Sequence, residues 1–528
     1  MLDFSKLYAF ANPGIEAQAR YLGAPDPLPL IQTLEMMKGA TANKKELLSR
    51  TDDIASMVSY WEKVSDINEG YDKIKAASTK YLPKFPDEKS EEYTFRLENT
   101  KLTNVYVDIV EGLASKPFEE EISFAEGEEK SEPPQEIKDF IENVDGNGNN
   151  LTVFGSLTFY NGINYAIDWI FVDYPPADPL IRTRADEIAA GVRPFWSHVL
   201  AQNVLEVRTT NINGTHVLSY IRIHEPGVGE PERVRIFQRD INGTIIYQLW
   251  ELNKDNDFVL IDNGTLTIDV IPLVPFVTGR RDGATWKFTP PMRAALELQI
   301  NLYRNESALE HLCILAGYPM LAANGLRPQM GPDGKTPMRV AVGPGRVVYG
   351  LPNENGTNGK WEYIEPSGAS MEFLQKKNNE TKQDLRELGR QPLTAQSGNL
   401  TVITTAVAAG KARSAVGAWA LQLKDAIENA LVITAKWLKK DDYDPEINVY
   451  TDFDNFADGG ADLAELGSAR RAGDLSQETY WYELRRRKVL SPEFSAEKER
   501  EKLLEEIPGD GDLENPDDVR NNPRKTAV

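Results

Sequence analysis

Apolar residues along this chain recur at two different spacings, and the places where the spacing changes divide the sequence. From Thr51 to Phe118 the period is helical: Val58, Trp61, Val64 and Ile67 recur every third residue, and Val105, Ile109, Val110 and Leu113 repeat the pattern. The spacing predicts helices that bury one face. Residues 1–50 mix proline, glycine and short helical stretches, and read as an arm of weak independent stability. Residues 119–135 are acidic, carry Pro133-Pro134 and supply little for a core, so they read as a surface loop or strand edge. A helix over 137–166, broken near Asp145-Gly146-Asn147-Gly148, is expected to lead into an apolar strand from Ile167 to Val172.

Between about Val204 and Val277 the runs HVLSYIRIHE, RVRIFQRD, TIIYQLWEL and FVLIDNGTLTIDVIPLVPFV have strand character. Asn-Gly pairs at Asn213, Asn242 and Asn263 are read as the hairpin turns between them, because these residues accept positive φ. Thr289-Pro290-Pro291 supplies a helix start with Thr289 as N-cap, before a helix reaching about Ala316. Leu296, Ile300 and Tyr303 share one stripe of that helix, while Leu298, Leu302, Leu309 and Leu312 spread to others, so it packs on several sides. Short strands and turns rich in glycine and proline follow from Gly317 to Pro366, then a strongly charged helix from about Ala369 to Leu388. A polar loop from Gly389 to Leu400 separates it from a long helix over about Val402–Leu438. Small residues crowd the first half of that helix, and Trp419, Leu423, Ile427, Leu431 and Trp437 line the second. Helices at about 461–472, 476–488 and 495–507 close the fold, with Ser476 and Ser491-Pro492 as start signals and a polar, disordered last twenty residues. The fold class is therefore α+β.

A chain of 528 residues can bury several cores. No run approaches the eighteen apolar residues of a membrane span, so no membrane partner is expected. The start of the sequence lacks the features of a secretory signal, so synthesis and assembly are expected in the cytosol. The net charge of −22 argues against a protein that grips DNA by neutralising phosphates. If DNA is a partner, it passes rather than sticks.

Candidate chemistry is sparse. Gly331-Pro-Asp-Gly334-Lys335-Thr336 imitates a phosphate-binding loop, but position 329 is Gln329 and a proline follows Thr336, so it reads as a tight turn. Gly343-Pro-Gly345-Arg346 is a turn entering a strand. His216 and His224 fall in one strand region without a third ligand, and paired carboxylates such as Asp452 and Asp454 are expected by chance among 81 acidic residues. Cys313 lies mid-helix among apolar neighbours and reads as a structural thiol. No catalytic residue, cofactor or metal is assigned. Arg485, Arg486, Arg487 and Lys488 close a helix, where cations complement the dipole.

The order of elements, with Tyr60-Trp61, Asn68-Glu69-Gly70, Tyr81-Leu82-Pro83, Ala316-Gly317-Tyr318-Pro319, Glu365-Pro366-Ser367-Gly368-Ala369-Ser370 and Tyr480-Trp481-Tyr482-Glu483-Leu484-Arg485-Arg486, resembles the tailed-bacteriophage portal proteins over about residues 55–505. Within them it looks like the portal-like family otherwise labelled a domain of unknown function. The resemblance implies a portal-type fold with wing, stem, clip and crown regions, assembled as a ring, usually of twelve copies, around a central channel. It implies an N-terminal extension over 1–50, a wing over 51–289, stem helices at 290–316 and 368–389, and a clip at 317–367. A tunnel loop at 390–401, a long wing helix and return strand at 402–455, a helical crown at 456–508 and a disordered tail at 509–528 complete it.

On that mapping Lys376, Lys377, Lys382, Arg386 and Arg390 meet passing phosphates, nearly balanced by Glu372, Glu380, Asp384 and Glu387. Gln391, Thr394, Gln396 and Asn399 belong to the tunnel loop, and Arg327, Arg339 and Arg346 of the clip are candidates for partner docking. The implied partners are sister subunits, double-stranded DNA in transit, the terminase large subunit, the major capsid protein or scaffold, and a head–tail adaptor, at the portal vertex of a virion. The competing expectations are a cytosolic hydrolase or metal-dependent nuclease with an unrecognised carboxylate site, and a head–tail adaptor, although adaptors are usually much shorter.

Overall fold

The computed structural model describes residues 37–125, 132–175, 191–227, 229–317, 320–327, 330–331, 351–352, 359–364, 368–388, 402–451, 461–486, 489–490 and 494–506. They belong to two units, divided between Thr451 and Asp452. In the first unit, strand β1 (Thr41–Asn43) and the single-turn helix α1 (Lys44–Leu47) precede α2 (Asp52–Glu69), α3 (Tyr71–Ala76), α4 (Ser90–Asn99) and α5 (Val105–Ala114). The three-residue spacing of α2 buries Ile54, Met57, Trp61, Val64 and Ile67, and the same logic buries Val105, Ile109, Val110 and Leu113 on α5. Strand β2 (Ser123–Phe124) pairs with β17 (Ile447–Asn448), so the acidic segment is partly a strand edge.

The expected break near residue 145 divides α6 (Gln135–Ile141) from α7 (Leu151–Tyr165), where Asn150 accepts the Val153 N–H at 2.9 Å as N-cap. Ala166, at φ 73°, ends α7 in the left-handed region. The chain then enters β3 (Ile167–Asp173), the centre of a three-stranded antiparallel sheet flanked by β4 (Phe195–Leu200) and β10 (Leu273–Val277). Helix α7 and the long helix α10 (Val402–Trp437) both pack on this sheet. The core between them includes Trp169, Phe276 and Phe159, the last two stacked at 5.7 Å, and Trp196, whose indole N–H donates to Thr434 Oγ1 at 2.8 Å. Fully buried Asp168 lies 3.2 Å from His198 Nδ1, and burial pushes its carboxyl above the usual range.

The second sheet has six strands in the order β1-β9-β8-β7-β6-β5, all antiparallel: β5 (Val204–Ile212), β6 (Thr215–Glu225), β7 (Arg233–Arg239), β8 (Ile245–Leu252) and β9 (Asp257–Thr265) form a meander, and β1 adds to its far edge. Two of the three Asn-Gly pairs are hairpin turns: Asn213-Gly214 has φ of 51° and 89°, and Gly243 has φ of 89°. The third is not. Asn263-Gly264 lies inside β9 opposite Gln248 and Tyr247, and the turn is made instead by residues 253–257, with Asn256 at φ 64°. Gly264 serves packing, since a Cβ there would come within 2.9 Å of the Tyr247 ring.

After β11 (Arg280–Arg281) and β12 (Phe288–Thr289), the helix α8 spans Arg293–Gly317. Thr289 pairs with Arg280 and so is not its N-cap; the helix starts three residues later than the Thr-Pro-Pro signal suggested, because β-pairing took the threonine. Cys313 is exposed on α8, not held among apolar residues. Strands β13 (Met320–Asn324), β14 (Leu326–Arg327), β15 (Leu351–Pro352) and β16 (Lys360–Ile364) lead to α9 (Gly368–Leu388). Residues 37–50 lie across the six-stranded sheet: Ala42 and Leu47 enter its apolar cluster with Val234, Ile236, Trp250, Phe258 and Leu260.

The second unit contains α11 (Ala461–Ala472), α12 (Gln477–Arg486) and α13 (Ala496–Glu506). Ser476 Oγ accepts the Thr479 N–H at 3.1 Å, the cap the sequence suggested for α12. Trp481 meets Phe494 edge-on at 5.7 Å. Ser491-Pro492 and the last twenty residues lie outside the described residues.

Gly162 on α7 faces Phe276, and a Cβ there would fall 2.3 Å from the ring. Overpacking of this kind costs about 1–3 kcal/mol. Gly162→Ala is expected to lower the denaturation midpoint in urea accordingly, whereas Gly467→Ala, inside α11 with only a 3.9 Å contact, is expected not to lower stability.

Candidate functional site

Helices α8 and α9 lie against one another, and several observations fix their relation. Lys382 Nζ of α9 is 2.9 Å from Glu306 Oε1 of α8, and Arg386 Nη2, one turn later, is 3.2 Å from Asp108 on α5. Helix α8 meets α5 earlier in its own course, through Gln299. The two helices are therefore antiparallel. At the other end β13, which follows α8, pairs with β16, which precedes α9, in register Met320↔Ile364 to Asn324↔Lys360. Beyond it Leu326 and Arg327 pair with Pro352 and Leu351. Residues 293–388 thus form one excursion of the chain: a helix, two successive ladders, and a returning helix.

The base of α8 is held by polar side chains on one of its faces. Gln299, fully buried, accepts the backbone N–H groups of Val105 and Tyr106, both at 3.0 Å, and donates to Thr103 O at 2.8 Å. It satisfies donors that the first turn of α5 leaves unpaired. One heptad later Glu306 accepts the Thr103 N–H at 3.1 Å, and Ser307 accepts Thr100 Oγ1–H at 2.8 Å and Arg96 Nη1–H at 3.2 Å. Arg96 is itself buried. Its guanidinium binds both carboxylate oxygens of Glu88 at 2.7 Å, donates to Pro83 O at 2.9 Å and stacks 4.0 Å over the Phe85 ring. The hydrogen bonds from Arg96 hold the Glu88 carboxyl below its ordinary range.

Helix α9 turns Asn378, Thr381 and Leu385 inward and exposes a face carrying Glu372, Gln375, Lys376, Asn379, Glu380 and Gln383. The spacing of these residues places them on adjoining turns of one side. Lys376 lies 3.9 Å from Glu380, Lys377 is exposed beside the open flank of Phe373, and Phe373 is 65% exposed.

The cations expected to act together are therefore divided. Lys376 and Lys377 face outward, while Lys382 and Arg386 turn back to Glu306 and Asp108. Arg390, Gln391, Thr394, Gln396 and Asn399 lie outside the described residues, as do Arg339 and Arg346; the backbone of Arg327 pairs in β14. The Gly331–Thr336 turn beyond its first residue, Gly343–Arg346, Asp452 and Asp454 also lie outside them. His216 and His224 share β6, with His224 Nε2 2.8 Å from Glu232. Among the described residues no three metal-ligating side chains converge.

The residues that fasten the pair, Gln299, Glu306, Ser307, Arg96 and Asp108, were not singled out from the sequence. The available signal was Gln299 and Glu306-Ser307, polar residues a heptad apart in a helix otherwise packed on several sides.

The family model described as Domain of unknown function (DUF4055) matches residues 291–438, the stretch holding the helix pair, the ladders between and the long helix α10. No curated protein matches the chain. Among solved structures, one titled as the neck of an empty GTA particle computed with C6 symmetry is similar over 76% of this chain and 89% of its own, at 12% identity and a TM-score of 0.39. Another, titled as the virion of a native gene transfer agent particle, is similar over 76% of this chain and 96% of its own, at 11% identity and a TM-score of 0.38.

Removing one partner of a buried ion pair costs about 3–5 kcal/mol. Arg96→Ala is expected to destabilise the protein by about that much in chemical denaturation. The pH dependence has a defined sign. Because the folded pKa of Glu88 lies below its unfolded value, its contribution is fully present above about pH 4.5 and is lost as pH falls through the folded pKa. Glu88→Gln is expected to reduce the acid-side slope of stability against pH, measured by thermal melts between pH 3 and 6.

Proposed function

We propose that this chain is the portal subunit of a tailed phage or phage-like particle, a non-enzymatic structural protein whose ring conducts DNA through one vertex of the capsid. The carrying observation is the excursion from Arg293 to Leu388: an antiparallel helix pair, closed at its far end by the β13–β16 ladder and fastened at its base through Gln299, Glu306 and Ser307. This arrangement suits a stem and clip. The pair presents a long side to neighbours, and the rest of the first unit supplies a rigid wing from which it extends. The sequence resemblance to portal proteins, and the family match centred on the same stretch, support the reading.

In the ring each exposed side chain is repeated once per subunit. Lys376 and Lys377 are the cations of α9 that face outward, and we assign them the passing contacts with phosphate. Lys382 and Arg386 instead hold the stem together. The tunnel loop over 390–401 and docking through Arg327, Arg339 and Arg346 complete the proposal, with terminase, capsid protein or scaffold, and a head–tail adaptor as partners at the vertex. Particles would assemble in the host cytoplasm.

Purified full-length protein imaged as single particles without imposed symmetry is expected to give closed rings, twelve-fold or close to it, with a channel wide enough for a duplex. Persistent monomers or dimers would sink the proposal. The charge reversal Lys376→Glu/Lys377→Glu is expected to leave those rings intact and to lower the amount of DNA retained in particles; unchanged packaging would remove both lysines from the DNA path.

A further inference from the structure

The tetrapeptide Ile-Asn-Gly-Thr occurs twice in this chain, at 212–215 and at 241–244, and each copy makes a hairpin turn. The fold holds the two copies differently. At 241–244 the turn joins β7 to β8, both inner strands of the six-stranded sheet. Asp240 closes that turn: its Oδ1 accepts the N–H groups of Asn242 at 3.0 Å and Thr244 at 2.7 Å, its Oδ2 accepts from Asn242 Nδ2 at 3.4 Å, and its carbonyl accepts the Gly243 N–H at 3.2 Å. Arg239 adds a bond to Gly243 O at 3.3 Å. At 212–215 the turn joins β6 to β5, the edge strand. Pairing of β6 with β7 starts at Tyr220, so the pairs from Thr209↔Leu218 to Ile212↔Thr215 form a two-stranded ribbon with no third strand beside it. A register shift between Arg208 and Thr209 sets this ribbon off from the rest of β5. At its tip Asn213 is exposed, at φ 51°, and among the described residues its side-chain amide has no partner; the Gly214 N–H donates to Asn211 Oδ1 at 2.9 Å. Two strands alone are marginal in water, and such a ribbon opens apart from the sheet that carries it.

We propose that Asn213 is a site of self-modification, at which the backbone nitrogen of Gly214 attacks Cγ of Asn213 when the ribbon tip opens. A bond forms between that nitrogen and Cγ, the Cγ–Nδ2 bond breaks, and ammonia leaves with the proton given up by Gly214. Water then opens the cyclic imide at either of its carbonyls. One opening returns aspartate, and the other an isoaspartyl link in which the backbone runs through Cβ and Cγ. Nothing is oxidised or reduced, and water is the one co-reactant. Glycine suits the attacking position because it has no side chain to shield its nitrogen. In the closed turn that N–H is fixed on Asn211, so opening of the tip gates the reaction. The other Asn-Gly pairs among the described residues are held away from this path. Asn161 is buried in α7 with its amide on Asp168, Asn263 is buried in β9, and the Asn324 amide donates to Glu362. The Gly148 N–H is held on Asn143 Oδ1 at 2.9 Å, and the Asn147 amide donates to Asp145 Oδ2 at 3.4 Å. Either product adds a carboxylate to the hairpin tip. The isoaspartyl form also lengthens the backbone by a methylene, which a two-residue hairpin turn does not accommodate in register. This inference is independent of the portal reading.

The test incubates the full-length protein in neutral buffer, digests it at intervals, and follows by mass spectrometry the exchange of an amide NH2 for OH at each Asn-Gly pair. Because the two copies are identical from isoleucine to threonine, Asn242 is an internal control for local sequence. In the folded protein Asn213 is expected to convert at least about tenfold faster than Asn242, and in concentrated urea the two rates are expected to converge. Equal rates in the folded protein, or a difference that persists in urea, would overturn the proposal. The variant Asn211→Ala releases the Gly214 N–H and is expected to speed conversion at Asn213 about fivefold while leaving Asn242 unchanged. An unchanged rate at Asn213 in that variant would remove the closed turn as the gate and overturn the proposal as well.

Discussion

A helix that carries a long excursion of the chain must be fixed at its root, and here the root is polar. Gln299 places one amide oxygen against two backbone donors of α5 and its amide nitrogen against the carbonyl of Thr103. An apolar residue at that position would leave the buried Tyr106 N–H without this acceptor, at about 1–3 kcal/mol, while Val105 would keep only its 3.1 Å bond to Thr103 O. A greasy contact would tolerate sliding of α8 along α5 by a fraction of a turn. Hydrogen bonds to specific backbone groups do not, so the angle at which the helix pair leaves the body is set by Gln299, Glu306 and Ser307 together.

That constraint reaches backward into the sequence through Arg96. Its guanidinium joins Glu88, Pro83 O and Ser307, so the loop before α4, the helix α4 and the helix α8 share one buried cation. A lysine could not replace it, because the contact is a planar fork on a carboxylate combined with stacking on Phe85. The segment from Tyr81 to Thr103, which has few apolar residues, is ordered by this network more than by a core of its own. Elsewhere in the unit, the three-stranded sheet packs against α7 and α10, and Gly162 lets Phe276 approach the helix closely.

Much of the architecture was legible because it rests on periodicity: the five-stranded meander β5–β9, the break before α7, and the helices at 293, 368 and 402 follow from apolar spacing and turn residues, whereas the sixth strand β1, in a segment read as an arm, does not. The errors arose where one residue type serves two purposes. Asn263-Gly264 has the composition of a hairpin turn, yet Gly264 is there to admit the Tyr247 ring, and the turn fell on residues 253–257. Thr289 has the composition of an N-cap, yet it closes a ladder with Arg280. Pairing between strands distant in sequence decides such cases, and local spacing does not contain it. The anchoring set was invisible for the same reason, since Gln299 and Thr103 are far apart in the chain and only the fold brings them within 2.8 Å.

The charges of α9 show how folding changes a composition into a surface. By sequence the helix holds Lys376, Lys377, Lys382 and Arg386 against Glu372, Glu380, Asp384 and Glu387, and looks balanced. In the fold Lys382 and Arg386 are half-buried against Glu306 and Asp108, whereas all four acids of the helix stay exposed. The exposed side is therefore acidic, with two lysines set into it. Within a screening length of about 8 Å, a ring of such helices would repel a duplex on average while offering brief local contacts at Lys376 and Lys377. If the proposed portal reading holds, a chain with a net charge of −22 that spends Lys382 and Arg386 on internal pairs would let DNA move, since tight phosphate neutralisation needs those cations free. The pairs that fasten α9 to α8 and α5 are thus the same ones that leave its exposed side acidic.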